Sequence, residues 1–390
     1  MSQAHLEYKD RVNLGSYYTP PKFVQLAWEL IESSIDSQTA IIDSACGYGD
    51  FLKNYGQSVT IGCDIDEDAI EIARKNTDKV QFFRTNALSN VSREKFGIPQ
   101  QSTRLIVVGN PPYNDRTSLI RHKIKNVDFE VDEDIASRDL GISFLRSYNK
   151  LAADFVCILH PLSYLIKQTN FRHLKEFTAN YKLIDGVLIS SGEFPESAKH
   201  TPFPIVIAFY QRDTKGMEYD YIRSFPFRIG DGLHFCLSDF DYIINYINKY
   251  PSKQHQPISD DSLFFWTMRD INALKRNRTF VQNYSNNTIV LDKSKLDYYA
   301  YVDVFKRNIH RLPFYFGNCD VPIDDTLFKQ SKHCFISDTI RHHPYLEKHF
   351  QINPIEKEEV ETELDKYFRL LLGKHHQCNK VFYDLKSSLF

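Results

Sequence analysis

Short β-branched and aliphatic runs recur through roughly the first two hundred positions, separated by stretches in which apolar residues return at helical spacing. That alternation predicts buried parallel strands joined by crossover helices. The runs Thr39 to Asp43, Ser58 to Asp64, Val80 to Arg84, Leu105 to Gly109, Asp154 to His160, Leu183 to Ile189 and Ile205 to Tyr210 are the expected strands. Most are apolar throughout, as strands covered on both faces are. Together they predict an α/β fold with a doubly wound, mainly parallel, seven-stranded sheet. Ahead of the first strand, Thr19-Pro20-Pro21 opens a helix with Phe23, Leu26, Ala27, Leu30 and Ile31 on one face, proline being tolerated in a first turn. A second helix is expected between Asp66 and Asn76, with acidic residues at its start and Arg74 and Lys75 at its end, where the helix dipole favours them. Beyond about residue 225 the alternation dissolves into aromatic, polar and histidine-containing sequence with no readable regular architecture. Residues 226–390 are therefore expected to form a second domain after a first one over 1–225. Within it, Glu356 to Asp365 runs on through Tyr367, Phe368, Leu371 and Leu372 as a packed amphipathic helix, a structural element facing away from any nucleic acid.

Composition narrows the class. The 390 residues suffice for two domains, and 42% hydrophobic with 25% charged residues is the balance of a folded globular chain. A formal charge of -2 excludes a generic polyanion binder, so any grip on nucleic acid needs a local basic patch. Lys275, Arg276 and Arg278, followed by Gln282, Asn283 and Tyr284, are the candidate patch, since they set phosphate-seeking cations beside groups able to bond base edges. The same residues also suit a solvated helix end. The polar N-terminus and the lack of any apolar run near about 18 residues predict no membrane span, and a cytoplasmic location. Seven cysteines without a Cys-x-x-Cys pair predict reduced thiols, with Cys46, Cys63 and Cys157 as small buried hydrophobes. His333-Cys334, His342-His343 and His375-His376-x-Cys378 match no closed tetrahedral spacing, so no metal is expected.

The chemistry gathers at strand ends. The first strand runs into Asp43-Ser44-Ala45-Cys46-Gly47-Tyr48-Gly49-Asp50-Phe51, a glycine turn that lets a ligand approach the backbone. It lacks both the third glycine of a dinucleotide fingerprint and the lysine of a phosphate loop, which disfavours nicotinamide and nucleoside triphosphates. The second strand ends in Asp64-Ile65-Asp66, placing Asp64 where Rossmann-like folds hold ribose hydroxyls, with Asp66 as the cap of the next helix. Strand four runs directly into Asn110-Pro111-Pro112-Tyr113 at the carboxyl end of the sheet. A conjugated amine such as that of adenine is a poor nucleophile because its lone pair is delocalised into the ring. The Asn110 side-chain oxygen and the Pro111 carbonyl could hold both amine hydrogens and turn that lone pair toward an electrophilic methyl group. Pro111 and Pro112 stiffen the loop, and Tyr113 offers a face for an unstacked base.

With these motifs in this order, the chain resembles the gamma class of amino-methyltransferases, specifically the adenine-specific DNA methyltransferases of type II restriction-modification systems. The resemblance covers about the first third of the chain, where Gly15-Ser16-Tyr17-Tyr18-Thr19-Pro20 matches a segment that closes over the methionine part of the cofactor. It implies the class I methyltransferase fold, S-adenosyl-L-methionine as cofactor, and a C-terminal target-recognition domain. The implied cofactor contacts are Tyr18, Thr19, Pro20, Asp43, Ala45, Cys46, Gly47, Gly49, Asp64, Ile65, Asn86 and Asn110. Gly192-Glu193-Phe194-Pro195 resembles the place where the family sets a second aromatic, making Phe194 a candidate stacking partner for a flipped base, although core filling explains it equally. Ser44 stands where the family usually has proline, and Asn86 where an aspartate faces the cofactor adenine. The implied partner is double-stranded DNA, together with a cognate restriction endonuclease acting on the same sequence. The same loop also occurs in methyltransferases of glutamine in release factors and, in related form, of ribosomal RNA. Those activities, and a non-catalytic DNA-binding protein with this fold, stay open as alternatives.

Overall fold

The computed structural model describes residues 18–52, 59–98, 104–113, 130–194, 202–230, 232–253 and 257–376. The chain divides into two compact units, the first running through Phe235 and the second beginning at Cys236.

The first unit is built on strands β1 (Ala40–Asp43), β2 (Val59–Asp64), β3 (Gln81–Arg84), β4 (Leu105–Gly109), β5 (Phe155–Pro161), β6 (Tyr181–Ser190), β7 (Pro204–Arg212), β8 (Phe227–Ile229) and β9 (Leu233–Phe235). They form one sheet in the order β3-β2-β1-β4-β5-β7-β6-β8-β9. Strands β1 to β5 are mutually parallel, and β7 runs antiparallel between β5 and β6. A parallel sheet that winds outward both ways from β1, with one reversed strand near its far side, is the class I S-adenosylmethionine-dependent methyltransferase fold. All seven expected strands are present within a residue or two of their apolar runs. The sheet nevertheless continues past residue 225, because β8 and β9 have three residues each and are too short to show a periodicity.

Central strands are buried on both faces, which is why β1 and β4 read as unbroken apolar runs. At the β3 edge only Phe82 is buried. Helix α1 (Pro21–Ile31) starts on a proline at its first position and buries Phe23, Val24, Leu26, Ala27, Trp28 and Ile31. It packs on one sheet face, against Ile41, Ile106, Val108, Cys157, Leu159, Ile205 and Ile207. Each Val, Leu, Ile or Phe side chain among these taken fully from water contributes about 1.5–3 kcal/mol. Helix α2 (Glu67–Asn76) is capped by Asp66, whose carboxylate accepts from the backbone N–H of Asp68 and Ala69, as the sequence predicts. Helix α3 (Leu140–Lys150) follows β4 and is capped by Asp139.

The second unit contains α4 (Ile271–Arg276), α5 (Leu296–Arg307), α6 (Asp325–His342) and α7 (Lys357–Leu372). It also holds a three-stranded antiparallel sheet and a two-stranded one. Helix α7 is the expected amphipathic one, burying Val360, Leu364, Tyr367, Phe368, Leu371 and Leu372. At the centre, fully buried Asp303 accepts from His343 Nε2 at 3.1 Å, Thr339 Oγ1 at 3.3 Å and Thr279, and pairs with Arg307 at 2.8 Å. Despite burial, His343 and Arg307 hold its carboxyl below the usual range. No helix among the described residues is long and apolar enough to cross a membrane.

His160 on β5 is 1% exposed, lies stacked between Tyr164 and Tyr210, and meets the Tyr210 hydroxyl at 2.7 Å. Burial lowers its pKa from 6.5 to about 4, so the folded state keeps it neutral while the unfolded chain protonates first. Its contribution is therefore complete above pH 6.5 and is lost as pH falls toward about 4, an amplitude of about 3 kcal/mol. Urea unfolding across this range should show that slope in the wild type and a flatter one in His160→Gln; equal slopes would assign the pH dependence to other groups.

Candidate active site

The carboxyl ends of β1, β2 and β4 lie side by side because β1 sits between the other two. Their loops enclose a cleft of about 1110 Å³, counted out to its mouth. Of the residues expected at a cofactor site, Tyr18, Thr19, Asp43, Ala45, Cys46, Gly47, Asp64, Ile65, Asn86 and Asn110 all line it. Gly15, Ser16 and Tyr17 lie outside the described residues.

Each turn has a local reason. Gly47 (φ 51°) and Gly49 (φ 82°) adopt left-handed backbone that a side chain would strain. Gly49 shapes the turn without lining the cleft, and Pro20 caps α1 instead, its carbonyl accepting from the Phe23 N–H at 2.9 Å. The carboxylate of Asp64 accepts from the Gly47 N–H at 2.8 Å through Oδ2 and from the Asp66 N–H at 3.0 Å through Oδ1. Each oxygen keeps a lone pair for a further donor. Ile65 stands at the rim, 36% exposed.

Asp43 is 2% exposed, and its Oδ1 accepts from the Ala45 N–H at 3.1 Å. Burial, reinforced by Asp64 and Asp50, pushes its pKa up to about 8. The carboxyl lies directly against the backbone of Gly109, where an added Cβ would fall 2.6 Å from Oδ1. Gly109 also has φ 136°, a conformation L side chains rarely adopt. The last residue of β4 must therefore be glycine for Asp43 to sit where it does. No pattern within a single strand signals that requirement.

Asn110 is held by Thr19, whose Oγ1 accepts from its Nδ2 at 3.1 Å. The Asn110 Oδ1 is buried and has no hydrogen-bond partner among the described residues. An orphaned buried acceptor costs about 1–3 kcal/mol, so one on a residue that lines a cleft marks a place where a donor is meant to arrive. Pro112 lines the cleft, whereas Pro111 does not. Tyr113 is half-buried beside the α1 core, with its Cβ 3.0 Å from the position a side chain on Gly141 would take.

Two expected residues behave differently. Phe194 is 2% exposed and stacks on Phe23 at 5.8 Å inside the α1 core. It does not line the cleft, and its role is core packing rather than stacking on a base. Asn86 does line the cleft, but its Oδ1 accepts from the Leu88 N–H at 3.0 Å and its Nδ2 donates to the Glu130 carbonyl at 2.7 Å. It shapes the loop, which Lys95 supports from behind by donating to the Asn86 and Ser89 carbonyls.

The lining also contains Asp50 and Asp66, missed as ligand groups, and Leu140 and Phe144 from α3, which only the chain's return after β4 brings in. With Asp43 and Asp64 this makes four carboxyl groups and no Lys or Arg among the described lining. Such a cleft repels phosphates and suits a ligand carrying positive charge. S-adenosylmethionine fits this test, having a sulfonium and an ammonium against a single carboxylate, and a ribose for Asp64. The thiols lining or flanking the site are inert, burial and nearby aspartates pushing Cys46 up and Cys63 to about 12.

The sequence profile of the family described as N-6 DNA Methylase matches residues 5–170. Residues 5–170 thus resemble that family. S-adenosylmethionine is the cofactor that goes with it. Among curated proteins, a "Bifunctional methyltransferase" of Rickettsia prowazekii (strain Madrid E) is 26% identical over 117 residues, covering 28% of this chain and 20% of that protein. The match thus spans about a fifth of that relative. Among solved structures, the methyltransferase subunit of a type I restriction-modification system from Streptococcus thermophilus is 14% identical, with a TM-score of 0.34 over 76% of this chain and 54% of its own. A dimethyladenosine transferase from Plasmodium falciparum is 13% identical, with a TM-score of 0.32 over 50% and 63%. These structural likenesses are loose, and the strand order carries the fold assignment.

Gly109→Ala is expected to cost roughly 1–3 kcal/mol of stability through backbone strain and displacement of Asp43, and to weaken S-adenosylmethionine binding. Urea unfolding and calorimetry check both. Wild-type values in both would mean that the Asp43 carboxyl can shift freely.

Proposed function

We propose that this chain transfers the methyl group of S-adenosylmethionine to the N6 amine of an adenine flipped out of double-stranded DNA, as the modification half of a restriction-modification system. The observation that carries this reading is the Asn110 Oδ1, a buried acceptor with no partner among the described residues, on a residue that lines an acidic cleft. The match of residues 5–170 to the N-6 DNA methylases supports adenine as the target.

In this proposal the Asn110 Oδ1 accepts one amine hydrogen and draws the nitrogen out of conjugation, with the carbonyl of the neighbouring Pro111, which lies outside the cleft lining, as the expected acceptor of the other. Bound S-adenosylmethionine supplies an electrophilic methyl on a positively charged sulfur. The N–C bond would form from the nitrogen lone pair as the methyl–sulfur bond breaks with its electron pair left on sulfur, and the positive charge, now on the amine, would be lost as one proton to solvent. Asp64 holds the ribose, and the acidic lining as a whole favours a cation over a phosphate. Tyr113 offers its ring to the flipped base, a contact worth about 1–3 kcal/mol against unstacking.

Lys275, Arg276 and Arg278 are exposed at the end of α4 and just beyond it, and none has an ion-pair partner among the described residues. Within the proposal they bind the DNA backbone, and the second unit recognises the target sequence. A cognate restriction endonuclease acting on that sequence is the implied partner.

Radiolabelled S-adenosylmethionine offered with duplex DNA, RNA and a release factor tests the substrate. Label in DNA adenine is expected, and label appearing only in RNA or protein would refute the assignment. Asn110→Ala should abolish transfer with cofactor affinity nearly intact, while Asp64→Ala should weaken cofactor binding first; calorimetry alongside single-turnover kinetics separates the two. Replacing Lys275, Arg276 and Arg278 by alanine should weaken DNA binding and flatten its salt dependence, the log–log slope falling by about 0.9 for each phosphate no longer neutralised. An unchanged slope would move the DNA-binding surface elsewhere.

A further inference from the structure

Thr19 and Asn110 occupy the same sequence setting, since each precedes a Pro-Pro pair, Thr19-Pro20-Pro21 and Asn110-Pro111-Pro112. A residue before proline is kept out of the helical region and held extended, and each proline fixes its own φ. Both side chains therefore leave a backbone with little freedom. The two segments are 91 positions apart in the chain and meet at the cleft, where Asn110 Nδ2 donates to Thr19 Oγ1 at 3.1 Å. Thr19 is 4% exposed, so water competes poorly for that bond.

The bond matters because a carboxamide is nearly symmetric in shape and opposite in chemistry at its two ends. Half a turn about the side-chain amide exchanges acceptor for donor at almost no steric cost. Only the oxygen can accept from an amine hydrogen; the nitrogen in its place would set donor against donor. The Thr19 hydroxyl, which can donate as well as accept, here takes the Nδ2 end, and the Oδ1 end has no partner among the described residues, so in this arrangement the acceptor is the end left for the target amine. Threonine suits this task better than serine, because branching at Cβ restricts χ1 and keeps the hydroxyl in place.

We propose that Thr19 is a positioning residue for methyl transfer: by accepting the Nδ2 hydrogen it holds the Asn110 carboxamide with its oxygen toward the target amine. This role rests on the acceptor function proposed for Asn110 and differs from a cofactor contact. A weakened cofactor contact shows in cofactor affinity and is overcome by saturation, whereas a misoriented acceptor persists at saturating cofactor.

The test compares wild type with Thr19→Val, which keeps the shape and removes the hydroxyl, and with Thr19→Ser, which restores the hydroxyl without the methyl. Three quantities are measured: cofactor affinity by calorimetry, kcat at saturating cofactor on adenine-containing duplex, and hydrogen exchange of the Asn110 side-chain amide by NMR, the resonance being assigned through its loss in Asn110→Ala. Thr19→Val is expected to lose about tenfold in kcat, the equivalent of one hydrogen bond, with cofactor affinity within about twofold of wild type and faster amide exchange. Thr19→Ser should recover most of both. Wild-type kcat in Thr19→Val, a deficit that vanishes at saturating cofactor, or unchanged Asn110 amide exchange would each overturn the proposal. If Thr19→Val does not fold, Thr19→Ala takes the same measurements. Wild-type protein that methylates no adenine refutes the proposed activity, while amide exchange still decides whether Thr19 holds the carboxamide.

Discussion

A parallel strand can be joined to its neighbour only by a crossover, so every strand in the β1-to-β5 region delivers its carboxyl end to the same edge of the sheet. The order β3-β2-β1-β4-β5 places β1 between β2 and β4, and three loops distant in sequence thereby share one cleft. Everything proposed for this protein depends on that convergence. Asp43 comes from the end of β1, Asp64 from the end of β2 and Asn110 from the residue after β4. Their spacing is a property of the sheet, and the sheet is held by the apolar strands beneath it together with α1 on one face.

The cleft is costly for the fold on which it rests. Asp43 is buried with its pKa raised, the Asn110 oxygen lacks a partner among the described residues, and Gly109 carries a backbone conformation that other residues rarely adopt. Each of these weakens the folded chain, and they cluster where three strand ends meet. Such concentration is expected where groups are arranged for a ligand rather than for stability. The network around Asp303 in the second unit is the contrasting case, for there a buried carboxyl is fully satisfied by Arg307, His343, Thr279 and Thr339 and serves structure.

Much of the first unit was legible in the chain because its strands are buried on both faces and its helices on one, which writes distinct periodicities into the sequence. Local chemistry was legible for the same reason: Asp66 as a cap, Gly47 in a left-handed turn and Asn110 at a strand end are all set by neighbours a few residues away. Strands β8 and β9 were not, since three residues carry no period. The second unit mixes short helices with strands of two or three residues, and its buried aromatics come too irregularly to trace a single face.

By itself the sequence determined, through β7 of the first unit, the order of elements, the positions of the turns and the kinds of groups available at the strand ends, because these follow from local periodicity and backbone preference. Only the tertiary structure decided which of those groups meet. It placed Phe194 in the core against Phe23 rather than at the cleft, engaged both ends of the Asn86 amide in its own loop, and made the cleft acidic by adding Asp50 and Asp66. It also paired Thr19 with Asn110 and pressed Asp43 against Gly109. Contacts of this kind depend on distances between atoms far apart in the chain, which residue types and spacing do not specify.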